Sequence, residues 1–172
     1  MDKFFIKTDR LVITEADESM AESIHKNSLD EDMRKFVPDE VFETVQKANQ
    51  AVMNIMNWYK QDRAPLVYPI IIKNGVNIGY VQAVPFDGCD WEIGYHIAKE
   101  YTGRLFATEA LKAFLPVIME KLKIDKIMGI SLEENAASCA VLEKCGFKLE
   151  YKGSGNYQGE SGNIRVYFYY AL

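Results

Sequence analysis

Apolar and polar positions alternate along this chain in two periods, and the order in which the periods succeed one another outlines a fold. Arg10–Thr14 (RLVIT) reads as a short first strand. Ala16, Met20 and Ile24 then recur four apart, which predicts a helix over Ala16–Asn27. Ser28–Glu40 is polar and without period. A second helix follows, with Val45, Ala48, Val52, Ile55, Met56 and Tyr59 on one stripe. Leu66–Lys73 is rich in branched and aromatic residues, Asn74-Gly75 is a hairpin-turn signal, and Asn77–Val84 returns as the partner strand. Trp91–Ala98 (WEIGYHIA) is the third strand of this meander, after a turn at Pro85–Gly88.

Beyond Tyr101 the period lengthens again. Ala107, Ala110, Leu111, Phe114, Ile118 and Leu122 share one face of a helix over Gly103–Lys123. Lys126–Ser131 is a buried-type strand, and Asn135–Cys145 a helix closed by Gly146. Phe147–Tyr151 and Ile164–Tyr170 are strands joined by a Gly/Ser/Asn-rich loop, Gly153–Asn163. The helix between Ala98 and Lys126 lets the strands on either side lie parallel through a right-handed crossover. The class is therefore α+β, with a mixed, mostly antiparallel sheet of six to seven strands flanked by about four helices. Neither repeats nor linkers divide the chain, so residues 1–172 are expected to form a single domain.

Composition narrows the function. At 172 residues, 48% hydrophobic and 26% charged, the chain can bury a full core without staples. A net charge of −5 disfavours nucleic acid as a partner and suits a cationic one. No apolar run is long enough to span a membrane, and MDKFFIKTDR lacks the apolar stretch of a secretory signal, so a cytoplasmic location is expected. Cys89, Cys139 and Cys145 form no metal-ligand pattern and His25 and His96 lie far apart, so no metal is expected. Buried free thiols are the simpler reading of the cysteines.

The candidate chemistry lies in Trp91–Thr108, WEIGYHIAKEYTGRLFAT. A strand runs through a turn containing Gly103 directly into a helix. Such a junction offers unpaired backbone N–H groups at a positive helix end, and phosphate oxygens are natural partners for them. Arg104 adds a positive charge there. Many junctions of this kind bind only water.

Three patterns resemble the GNAT superfamily of N-acetyltransferases over essentially the whole chain, and most closely its ribosomal-protein N-terminal alanine/serine acetyltransferase branch. They are Thr8-Asp9-Arg10-Leu11-Val12-Ile13; Glu92-Ile93-Gly94-Tyr95 followed by Thr102–Ala110 (TGRLFATEA); and Asn135-x-x-Ser138 followed by Val141–Phe147 (VLEKCGF). The resemblance implies the acyl-CoA N-acyltransferase fold and transfer of acetyl from acetyl-CoA, as co-substrate, to a primary amine by direct attack. The acceptor would be a protein N-terminus or a small-molecule amine, and the protein a monomer or homodimer. The family's pyrophosphate loop reads Gln/Arg-x-x-Gly-x-Gly/Ala; here Thr102, Gly103, Arg104, Leu105, Phe106 and Ala107 occupy those positions, so the first residue and the central glycine differ. Backbone N–H groups do the binding, and Leu105 serves if its φ is negative, as at a helix start. Leu142 stands where many members carry a proton-donating Tyr.

On this resemblance, Glu92 is the first choice of base, burial raising its pKa toward the useful range; an ordinary strand carboxylate is the alternative. A backbone N–H near Tyr95–Ile97 would stabilise the oxyanion. Gly94 fits either a bulge opening that position or close packing against a neighbour. Ser138 would support the leaving thiolate, and Asn135 would contact the pantetheine arm, cap the following helix, or both. His96, beside Ile97, packs against the cofactor arm or the core, or acts as a base. Thr102 to Thr108 bind the pyrophosphate. Glu15, Asp17, Glu18, Glu22, Asp30, Glu31, Asp32, Asp39 and Glu40 make the N-terminal part acidic, either steering a cationic amine or simply solvated. Tyr157 belongs to an acceptor lid or a flexible hairpin end. A CoA-binding sensor or interaction module without efficient catalysis is the alternative function, motivated by Leu142 and the altered loop.

Overall fold

The computed structural model describes residues 3–87 and 90–171. Gly88 of the expected turn and Cys89 lie outside the described residues. Among the described residues eight strands form one sheet in the order β1-β2-β3-β4-β5-β6-β8-β7. They are β1 (Phe5–Lys7), β2 (Leu11–Thr14), β3 (Leu66–Ile72), β4 (Asn77–Pro85), β5 (Trp91–Ile97), β6 (Lys126–Leu132), β7 (Lys148–Tyr157) and β8 (Glu160–Tyr170). Five α-helices accompany them among these residues: α1 (Ala21–Ser28), α2 (Glu31–Phe36), α3 (Val45–Trp58), α4 (Phe106–Leu122) and α5 (Ala136–Lys144). Every pairing is antiparallel except β5 with β6, because α4 carries the chain back across the sheet between them.

The α+β class and the mixed, mostly antiparallel sheet are as expected, and the counts differ for physical reasons. β1 is a three-residue edge strand whose register with β2 runs Phe5↔Thr14 to Lys7↔Val12; three residues are too few to show an alternation. α2 lies in the segment expected to be irregular. It starts where the Asp30 side chain accepts from the Met33 N–H at 2.8 Å, and it buries Met33 to 1% exposure. The expected loop Gly153–Asn163 is instead a continuous β7–β8 hairpin turning on Gln158 and Gly159, whose φ values are 51° and 84°. Glycines and serines in the strands themselves gave that segment the composition of a loop. α4 begins at Phe106, three residues after the expected start at Gly103.

Two layers flank the sheet. Leu11, Ile13, Tyr68, Ile70, Val81, Ile93 and Ile97 meet Leu111, Phe114, Leu115 and Ile118 of α4 on one face. Val52 and Ile55 of α3 join Ala16 and Ala21 on the other. Tyr167 of β8 is fully buried in the larger core, whereas Tyr170 remains exposed. Cys139 and Cys145 are buried free thiols, and burial pushes the Cys145 thiol up to about 11. No helix among the described residues is long and apolar enough to cross a membrane.

Candidate active site

The sheet parts at its centre. Among the described residues β5 and β6 pair at Glu92↔Met128 alone, while β5 stays paired with β4 along its whole length, from Pro85↔Trp91 to Gly79↔Ile97. The Ala98 N–H donates to the Ile78 carbonyl at 2.8 Å, so strand alternation turns His96 and Gly94 toward β4 as well. The backbone groups of Tyr95 and Ile97 therefore face the gap beside β6. Gly94 makes no bulge in that register. A Cβ there would come within 2.8 Å of the Gln82 side chain, so the glycine serves close packing, and divergence of the two strands is what opens the gap.

Past β5, a short 3₁₀ turn (Lys99–Tyr101) leads into the junction with α4. Thr102 Oγ1 donates to the Lys99 carbonyl at 2.8 Å. Gly103 has φ of 75° and Leu105 has φ of 63° and ψ of 18°. The expectation of a negative φ at Leu105 is thus corrected: the residue keeps the left-handed backbone that a glycine would hold without strain, at a cost of about 1–2 kcal/mol. Its side chain, 58% exposed, points away from the core. No side chain caps α4, whereas Asp30, Thr44 and Asn135 cap α2, α3 and α5. The first helical hydrogen bond to this end runs from the Glu109 N–H to the Leu105 carbonyl at 3.0 Å, leaving the amides of Phe106, Ala107 and Thr108 to an outside acceptor.

The opening Thr8-x-Arg10 pattern holds this junction in place. Thr8 Oγ1 and Arg10 Nε each donate to Glu109 at 2.6 Å, Arg10 Nη1 donates to the Arg104 carbonyl at 3.1 Å, and the guanidinium lies 4.5 Å from the Phe106 ring centroid. Burial alone would raise the Glu109 carboxyl, but the hydrogen bonds from Thr8 and Arg10 outweigh it and hold the group below its ordinary value. The acidic residue in the first turn of α4 is thereby neutralised by Arg10, which preserves the positive potential of the helix end. Arg104 itself lies over the Tyr101 ring at 5.9 Å.

A cavity of about 170 Å³ occupies the gap, and Glu40, Glu92, Tyr95, Ser138, Leu142 and Tyr157 are among its walls. Burial first, and the Glu40 carboxylate second, push the Glu92 carboxyl from 4.5 up to about 7. Glu40 comes from the 3₁₀ turn Pro38–Glu40 and accepts from Tyr80 Oη and, at 3.0 Å, from Gln82 Nε2. Burial, with Glu92 and Glu40 nearby, pushes the Tyr157 phenol up to about 12. Across the gap Ser138 lies in the first turn of α5. Its Oγ is 3.1 Å from Tyr95 Oη, its carbonyl accepts from Tyr95 Oη at 2.9 Å, and its N–H donates to Asn135 Oδ1 at 3.1 Å. Burial raises the Tyr95 phenol well above its ordinary value, so it stays a proton donor.

Glu92 and Ser138 are thus brought to one cavity, and Thr102 to Thr108 form the uncapped junction at the far end of the same strand. Asn135 is the cap of α5, which occupies its side-chain oxygen. His96 points to the opposite face of the sheet from α4, where Nε2 meets Asp30 Oδ2 at 2.9 Å with 12% of the side chain exposed. Leu142, 1% exposed, belongs to the core. Tyr80, Gln82 and the hydroxyl of Tyr95 were not singled out from sequence, and Glu40 figured there only in an acidic stretch. The polar residues at alternate positions of β4, Tyr80 and Gln82, are the signal that marks that face as more than core.

Residues 10–148 match the acetyltransferase (GNAT) domain. An uncharacterised N-acetyltransferase of Bacillus subtilis, YnaD, is 27% identical over 147 residues, covering 84% of this chain and 83% of that protein. A GNAT-family acetyltransferase structure from Bacillus anthracis superposes with a TM-score of 0.82 at 24% identity, covering 97% of this chain and 98% of that one. A ribosomal L7/L12 α-N-protein acetyltransferase, RimL, in complex with coenzyme A superposes at 0.82 with 19% identity, over 97% and 98% of the two chains.

Proposed function

The chain belongs to the GNAT acetyltransferase family, and we propose that it moves an acetyl group from acetyl-CoA to a primary amine by direct attack. The observation that carries this reading is the arrangement along β5. An uncapped helix start follows its end, and a carboxylate held near neutral pH lies near its beginning. The RimL structure with coenzyme A and the family match support acetyl-CoA as donor. A protein N-terminus, of the kind RimL's name states, and a small amine are both compatible acceptors.

The donor brings a thioester carbonyl already activated for acyl transfer. The amides of Gly103 to Thr108 hold its pyrophosphate, with Arg104 as the nearby cation. The backbone edge of Tyr95 and Ile97 aligns the pantetheine arm as an added strand would be aligned, and an N–H of that edge offsets the oxyanion, an effect often worth roughly 3 kcal/mol. Glu92 accepts the amine proton. With its carboxyl near pH 7 it is substantially ionised at neutral pH yet basic enough to work. Ser138, whose Oγ lies 3.1 Å from Tyr95 Oη, turns its hydroxyl hydrogen to the departing sulfur, a role Leu142 cannot fill. Direct attack brings both substrates together in the cavity, so no side chain becomes acetylated.

The experiment is release of free CoA thiol from acetyl-CoA in the presence of N-terminal peptides, polyamines, amino sugars and arylalkylamines. Thiol release with at least one amine is the expected result. Binding of acetyl-CoA with no acceptor turned over would instead favour a CoA-binding sensor, the second reading that Leu142 and the strained Leu105 keep open.

A further inference from the structure

A second cavity, of about 350 Å³, lies on the α1–α3 side of the sheet, against the site just described. Its walls are mostly apolar: Met33 of α2, Phe42, Ile55 and Trp58 of α3, Val67 of β3 and Val84 of β4. Glu40, Tyr80, Gln82 and Val84 border both cavities, so the partition between them is the cluster in which Glu40 accepts from Tyr80 and Gln82.

Several other polar groups around this chamber are already engaged. Asn27 donates to the Asn77 carbonyl at 2.9 Å, Asn77 Nδ2 donates to Ser23 at 3.1 Å, and His96 meets Asp30. Glu40 is different. Each of its oxygens has a further lone pair free after the bonds from Tyr80 and Gln82, and Glu92 adds a second carboxylate beyond it. Among the described residues neither is paired with a Lys or Arg. An apolar chamber with Asp39 and Glu40 on its wall and Glu92 just across the partition is complementary to a molecule with an apolar body and a cationic nitrogen at one end. The volume is at the lower end of ligand pockets, which run from about 300 to 1,000 Å³, so it suits one compact ligand rather than a length of polypeptide.

We propose that the acceptor of this enzyme is a compact primary amine with an apolar body, such as an arylalkylamine, seated between α3 and β4 with its nitrogen at Glu40 and Glu92. This rests on the acetyltransferase reading above. The ammonium loses one proton through Glu92 to solvent. The nitrogen–carbonyl bond then forms as the carbon–sulfur bond breaks, and the second amine proton is matched by the one taken up by the thiolate. The products are the N-acetyl amide, CoA thiol and one released proton.

The test compares phenethylamine, spermidine and a hexapeptide with a free N-terminus in the thiol-release assay, with wild type and Ala51→Phe. Ala51 lies on the half-exposed chamber face of α3, so the larger ring fills the chamber without entering the core. The expected kcat/KM for phenethylamine exceeds the other two by roughly tenfold or more, and Ala51→Phe lowers it by a similar factor through KM. Acetyl-CoA affinity by calorimetry stays unchanged, which also reports that the variant is folded. Should Ala51→Phe fail to fold, Ala51→Leu carries the same expectation at smaller size. Preference for spermidine or the peptide, or an unaltered phenethylamine KM in the filled variant, overturns the proposal while leaving an acetyltransferase. Failure to bind acetyl-CoA, or binding with no amine accepted, overturns the acetyltransferase reading and this one with it.

Discussion

Glu92→Gln exchanges an ionisable group for a neutral one of the same shape, and two quantities should respond in opposite directions. In the folded protein burial and Glu40 move this carboxyl from 4.5 to about 7, which corresponds to about 3 kcal/mol of preference for the neutral acid. Hydration of a side chain that is only half-buried reduces this to about 2 kcal/mol. Below pH 4.5 the group is protonated whether the chain is folded or not, so it carries no penalty there. As pH rises through the window to about 7 the unfolded chain ionises first, and wild-type stability falls; above that window the full penalty is in place. The glutamine variant never ionises. Its melting temperature should match wild type at pH 4 and exceed it by about 4–8 °C at pH 8. Turnover should move the other way, falling by a factor of about 10²–10⁴ at pH 8 with acetyl-CoA affinity intact, and wild-type activity should rise through pH 7. Melting curves at half-unit pH intervals, paired with thiol-release rates, decide the matter. Parallel stability profiles would refute the perturbed carboxylate, and unchanged turnover would refute its role as base.

Three further substitutions address other parts of the site. Leu105→Gly removes the left-handed strain at the junction; after the larger unfolded-state entropy of glycine is set against it, a gain of about 0.5–1 kcal/mol remains, visible as a raised melting temperature, and a lower one would mean the strain is not there. Glu109→Gln loosens the clamp from Thr8 and Arg10 and should raise KM for acetyl-CoA several-fold with little change in kcat; a kcat loss at constant KM would contradict a positioning role. Ser138→Ala should lower kcat by roughly tenfold, with the deficit shrinking for acyl donors whose thiols have lower pKa; an equal deficit for all donors would remove the serine from leaving-group chemistry.

Periodicity made β5, α4 and the crossover to β6 legible, because strand and helix periods change abruptly at Tyr101 and the junction then follows from the order of elements. Glu92 and Ser138 could be named because they sit within motifs that a resemblance anchors. Glu40 could not, since it reaches the cavity from a turn far away in sequence and is one of several acidic residues in that part of the chain. Leu105 shows a different failure. An apolar residue carries no mark of positive φ, so its backbone is set by the clamp around Arg10 and by the strand-to-helix turn rather than by its own preference. The β7–β8 hairpin was hidden because Gly153, Gly155 and Gly162 lie within strands that composition alone reads as loop.

Calorimetric titration of the protein with CoA and, separately, with pantetheine tests the claim on which the mechanism rests, that the open amides of Gly103 to Thr108 grip a pyrophosphate. The account predicts saturable heat with CoA and binding at least about a hundredfold weaker with pantetheine, which has the thiol arm but no phosphates. Equal affinity for the two, or no heat with CoA at millimolar concentration, would contradict it.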